Sequence, residues 1–171
     1  MKKSLTTAGI CAISAVAFAG GNPTFVELPS DYKASFEEYD TRNRANGKQV
    51  AVLYANDVAI QSVAEGAMAD GSTIIMEIYK IAKDENDKPL TDDNGLFVKS
   101  AHAATAVMTK KQSWDTEFDE IDRSGDWGYA IYNADGSVKK NDLQCVACHQ
   151  PYQSTEYMFS YSSLLDHVLS E

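Results

Sequence analysis

The 171-residue chain carries 25 acidic and 15 basic side chains, a formal charge of −10, with 44% hydrophobic residues and three cysteines. That balance excludes a nucleic-acid binder or an anionic-membrane binder and favours a cationic partner or small neutral ligands. The length suits one domain with one core.

Met1-Lys2-Lys3, the apolar run Leu5 to Phe18 and the triplet Ala17-Phe18-Ala19 read as a cleavable signal peptide over residues 1–19, which predicts a periplasmic protein. The run is too short to span a bilayer and no second one follows, so no membrane insertion is expected. Cys11 lies inside this leader, and Ala8-Gly9-Ile10 puts no small residue directly before it, as lipoprotein processing would need. The remainder, residues 20–171, is read as a single domain.

Ser30 or Asp31 predicts a helix cap, with Tyr32, Phe36 and Tyr39 near helical spacing up to about Asn43. Gln49 to Ala55 predicts a strand, and Asn56 caps a short helix carrying Val58, Ile60 and Val63 up to Gly66. Asp70-Gly71 turns the chain into the clearest strand, Ser72 to Ala82, with Ile74, Met76 and Ile78 on one face and Thr73, Ile75, Glu77 and Tyr79 on the other. Lys83 to Gly95 predicts an exposed connection. Phe97 to Met108 predicts a strand bent or bulged in its alanine-rich middle, and Trp127 to Asn133 resumes alternation before the turn Ala134-Asp135-Gly136. Ser154 or Thr155 caps a last helix bearing Tyr157, Phe159, Leu164, Leu165 and Val168. Short connections favour antiparallel pairing, so the fold class is α+β: mainly antiparallel sheet with flanking short helices.

Cys145-Val146-Ala147-Cys148-His149 is a CxxCH motif. Its spacing lets two thiols add to the vinyl groups of one haem while the next imidazole reaches the iron. Cys145 and Cys148 are therefore the cofactor-binding candidates, His149 the metal ligand, and one covalent haem c the cofactor. A zinc site needs four closing ligands, and outside the leader only His102 and His167 remain as nitrogen donors. A thioredoxin-like dithiol sits in a βαβ pattern, whereas this motif follows strand-like segments near the C-terminus.

The succession VLYAND, ADGSTIIMEIYK, SGDWGYAIYNADG and CVACHQPYQSTEYMF resembles the cytochrome P-460 family and its close relative cytochrome c′-beta, over roughly Leu28 to Val168. The resemblance implies a homodimeric, largely antiparallel β fold, unrelated to the four-helix-bundle cytochromes c′. It also implies one haem c whose only protein ligand is the motif histidine, here His149, leaving the other iron face open for NO, CO or a nitrogenous substrate. P-460 enzymes of that family carry a lysine directly before a strand glutamate, its amine bonded to the haem. Here that glutamate looks like Glu77, and Met76 precedes it. Lys80 lies well over about 10 Å further along an extended strand. A family arginine falls near Ala51 and a family carboxylate near Ala106. An apolar distal cavity follows from those departures, favouring neutral diatomic gases over proton-coupled oxidation.

The leading expectation is a five-coordinate, gas-binding haem protein of the cytochrome c′-beta kind. The alternatives are a periplasmic electron-transfer cytochrome serving a redox partner protein, and an oxidoreductase acting on hydroxylamine or NO. Met76 is read as a core residue, a distal-pocket residue or a sixth ligand, and Met68, Met108 and Met158 have no better warrant for ligation. His102 is read as a strand or surface residue, and His167 as a structural residue at a helix end. Trp114, Trp127, Tyr129, Tyr132 and Tyr157 are packing residues of which one or two touch the porphyrin. The acidic run Asp115 to Asp126 is a solvated loop; a dock for a basic partner ranks second, and calcium ranks last because EF-hand spacing is lacking.

Overall fold

The computed structural model describes residues 21–170 apart from 115, 117, 141 and 142. The leader read in residues 1–19 lies outside the described residues. Five strands form one antiparallel meander in chain order: β1 (Glu37–Asn43), β2 (Gln49–Ala55), β3 (Thr73–Ile81), β4 (Lys99–Lys110) and β5 (Trp127–Tyr132). Among the described residues four short α-helices accompany it: α1 (Tyr32–Ser35), α2 (Asp57–Val63), α3 (Cys145–His149) and α4 (Tyr161–Leu169). The fold is therefore α+β and not a helical bundle. No helix among the described residues is long and apolar enough to cross a membrane.

The register assigns every side chain to one of two faces. Met76 pairs with Leu53 on one side and Ala106 on the other, Ile78 with Ala51 and Ala104, and Ile74 with Ala55 and Met108. Across the last ladder Ala106 faces Ile131 and Met108 faces Tyr129. This face is covered by α2, α3 and α4, with Ala59, Val63, Met158 and Leu164 buried between. The other face bears Ile75, Glu77, Val107, Ala130 and Tyr132, covered by Val26, Tyr32 and Phe118. Gly128 has no Cβ to spare there, since one would sit 2.7 Å from Val26 and 2.8 Å from Phe118. Its bareness lets the N-terminal segment cross β5 in contact.

The sequence predicts a helix up to about Asn43, whereas α1 ends at Ser35 and residues 37–43 are strand. The apolar spacing at Tyr32, Phe36 and Tyr39 has a different origin. Between Glu38 and Asp40 the β1–β2 register shifts, leaving Tyr39 as an extra residue that turns inward, its phenol 2.7 Å from Ser160 Oγ. A bulge thus imitates helical periodicity. The last helix also begins later than expected. A 3₁₀ segment over Gln150–Thr155 is followed by left-handed backbone at Glu156 and Tyr157, so α4 starts only at Tyr161.

The β4 irregularity falls as expected in its alanine-rich half, where Ile78 pairs with Ala104 but Tyr79 with His102, leaving Ala103 unpaired. Asn56 caps α2 and does more. Its Oδ1 accepts from Ala59 N (3.1 Å) and Thr73 N (3.0 Å), while Nδ2 donates to Gly71 O (2.9 Å). Replacing Asn56 by Ala strips three bonds joining α2 to the start of β3, and urea denaturation should show a loss of about 2 kcal/mol.

Candidate haem-binding site

Helix α3 places Cys145 and Cys148 three residues apart, one above the other, with His149 on the same side. Val146, Ala147 and Gln150 line an open cavity of about 700 Å³ with Glu120, Arg123 and Asp126. Cys145, Cys148 and His149 are not among the residues that line that cavity. Cys145 and Val146 pack on the cluster of the Met76 face, whereas Cys148 is exposed. Neither cysteine is in a disulfide, and burial pushes the Cys145 thiol up.

His149 is held on three sides. Its Nδ1 lies 2.6 Å from the Tyr157 carbonyl oxygen. A carbonyl only accepts, so the ring proton sits on Nδ1 and Nε2 keeps its lone pair. The ring lies 4.6 Å from the Tyr129 ring and 4.7 Å from Phe159, centroid to centroid. Burial pushes its pKa down, against the opposing effect of the Tyr157 hydrogen bond, which favours the neutral imidazole that ligates metal. This donor set fits a c-type haem: two unpaired thiols and one imidazole with a fixed tautomer on a single helical turn. It does not fit structural zinc, because no group of three or more His, Cys, Asp or Glu side chains suited to a metal gathers among the described residues.

Met76, Ala51 and Ala106 all share the sheet face on which α3 packs. Met76 and Ala106 are partners in register and both are half-buried. Met68, Met108 and Met158 are deeply buried in the core. Glu77 is on the opposite face, hydrogen-bonded to three phenols. His102 joins it there, stacked on Tyr79 at 5.0 Å and 3.1 Å from Thr105 Oγ1, remote in register from the Met76 row. His167 pairs with Glu37 near the end of α4. His102 thus lies on a strand and His167 near a helix end, where their sequence context places them.

Sequence reading does not find the groups that hold His149. The decisive one is a backbone carbonyl, which no residue type marks, and Phe159 was read only as an apolar contact of the last helix. Tyr129 and Tyr157 are among the aromatic residues singled out, but not for these roles.

The family model described as Cytochrome P460 matches residues 29–160, most of the chain. No curated protein matches.

Proposed function

The chain belongs to the cytochrome P460 family, a family of haem proteins, and from that premise we propose that it carries one covalent haem c and binds small diatomic gases, NO or CO, on the iron face opposite His149. Cys145 and Cys148 form the two thioethers, and His149 Nε2 is the sole protein ligand. Bound haem supplies an iron with one exchangeable position, and the protein's part is to hold the imidazole, exclude water and shape the other side.

The observation that carries the gas-binding reading is the in-register row Leu53, Met76 and Ala106, with Ala51 beside it, on the face against which α3 packs. No amine, guanidinium or carboxylate stands at these positions. Substrate oxidation needs a group to take protons, whereas uptake of a neutral diatomic needs none. Glu77, the carboxylate nearest in sequence, belongs to the opposite face and is saturated by its own partners. These positions therefore give no support to the third reading, oxidation of hydroxylamine or NO.

Electron transfer keeps a specific observation in its favour, the half-buried Met76 thioether on the same face. Absorption and resonance Raman spectra separate the two readings. Gas binding predicts a high-spin ferrous protein that takes up CO and NO, and a Met76→Leu variant with the wild-type ferric spectrum. A near-red charge-transfer band that disappears in Met76→Leu, with no CO uptake by the wild type, would establish methionine ligation instead. The proposal extends to export, with residues 1–19 removed as a leader and haem attached in the periplasm, and to a homodimer. The mass of the exported chain and its sedimentation test these two points.

A further inference from the structure

Glu156 (φ +53°, ψ +35°) and Tyr157 (φ +59°) are consecutive non-glycine residues in left-handed backbone. Side chains with a Cβ disfavour that region, and such a pair persists only where its surroundings impose it. Three sets of contacts impose it here. Tyr157 N donates to Tyr152 O at 2.7 Å and Met158 N to Thr155 O at 2.9 Å. The Tyr157 ring packs on Gly125, where a Cβ would meet it at 3.0 Å. The Glu156 carboxylate takes Lys110 Nζ at 2.7 Å, and the same ammonium donates to Met68 O at 2.8 Å. The lysine and glutamate side chains are only 12% and 24% exposed, so this pair is less screened than a surface ion pair.

Lys110 is the last residue of β4, paired with Trp127, and so belongs to the rigid sheet. The carbonyl that accepts His149 Nδ1–H belongs to the residue directly after Glu156. The ion pair therefore ties the end of β4 to the turn that orients the imidazole. We propose that Lys110 and Glu156 are positioning residues for the axial imidazole: their ion pair holds the left-handed turn so that the Tyr157 carbonyl stays close on His149 Nδ1–H, and this sets the donor strength of Nε2. The inference rests on the reading of His149 as iron ligand. A short bond from Nδ1–H to a carbonyl raises the basicity of the ring, which strengthens the bond from Nε2 to iron and favours the oxidised metal.

The test uses exported holoprotein carrying Lys110→Met or Glu156→Gln, with two readings: the iron–histidine stretching frequency of the ferrous protein and its midpoint potential. Lys110→Met should lower the frequency and raise the potential. Glu156→Gln, which keeps a neutral hydrogen bond to the lysine, should move both in the same direction by less, and it carries the test should Lys110→Met not fold. A merely structural ion pair would lower Tm and leave both readings at wild-type values in both variants, which overturns the proposal. A wild-type protein that binds haem covalently and is high-spin and five-coordinate in the ferrous state, yet shows no iron–histidine band, would overturn the assignment of His149, and this inference with it.

Discussion

Glu77→Ala should cost about 3–4 kcal/mol of stability in urea denaturation at pH 7, the largest loss expected from any single polar side chain of the sheet. The carboxylate is 1% exposed. It accepts from the phenols of Tyr32 (2.7 Å), Tyr79 (2.9 Å) and Tyr54 (3.1 Å), and Lys33 Nζ lies at 2.6 Å. Removing it leaves three phenols that have lost their acceptor beside a small void. Lys33→Ala should cost less than about 1 kcal/mol, because the lysine is 61% exposed and its charge is screened by water. Most of the holding is thus done by neutral hydroxyl donors from three elements, α1, β2 and β3. Since Glu77 stands on the face away from α3, Glu77→Ala and Glu77→Gln should keep their haem content, measured as haem per folded chain.

The same residue gives the protein an acid limit with a defined sign. Burial alone would push the Glu77 carboxyl up, but the Lys33 contact and the Tyr32 and Tyr79 hydrogen bonds outweigh it and bring the pKa down to about 2 from an ordinary 4.5. The unfolded chain therefore takes the proton at higher pH than the folded one, and acid favours unfolding. The contribution is fully present above about pH 4.5 and is lost as pH falls through the window from 4.5 to 2. The stability gap between wild type and Glu77→Gln should accordingly narrow between pH 5 and pH 2.5, at up to about 1.4 kcal/mol per pH unit. A constant gap would mean that Glu77 is not the titrating group. Burial raises all three phenols, and Tyr79, pushed up to about 12, stays a hydrogen-bond donor throughout this range.

How much of this was legible depends on which interactions a residue type can announce. Strand period two already separates Met76 from Glu77, and the sheet keeps that separation, so the Met76 thioether and the buried carboxylate belong to different faces. Gln49–Ala55 and the Asn56 cap were likewise readable, because a β-branched run and a side-chain cap act within a few residues. Tyr39 misled because a bulge adds one residue to a strand and shifts period two toward the helical period. The delayed start of α4 was hidden for a related reason. Glu156 and Tyr157 are ordinary residues in an unusual backbone conformation that tertiary contacts impose. Of the candidate site, the thiols and imidazole were announced by their spacing, while the Tyr157 carbonyl and the Lys110 contact, 46 residues away from Glu156 in the chain, were not.

Substitutions in the CxxCH turn should have the largest functional effect, because all three side chains would serve the cofactor while contributing differently to the fold. Cys145 is half-buried against the core and Cys148 is exposed, so Cys145→Ser should cost about 1 kcal/mol of stability and Cys148→Ser close to none. For the proposed haem attachment the two are equivalent, since each would form one thioether. Each single variant should retain haem through the remaining bond at reduced yield, and the double variant should show no haem on the denatured polypeptide by mass measurement. A double variant that still carries covalent haem would remove both cysteines from the account.

His149→Gly separates ligation from attachment. The proposed thioethers would remain, but the ring between Tyr129 and Phe159 is gone and the Tyr157 carbonyl loses its donor, so about 2–3 kcal/mol of stability should go with it. The space left is the shape of one imidazole with a carbonyl at its Nδ1 end. Free imidazole added to the variant should therefore bind in that space and restore the iron–nitrogen band and CO uptake, while free 1-methylimidazole, which has no N–H to donate to the Tyr157 oxygen, should restore them less well. Equal rescue by both would show that the carbonyl has no part in holding the ligand, and wild-type spectra without any rescue would show that His149 does not ligate the iron.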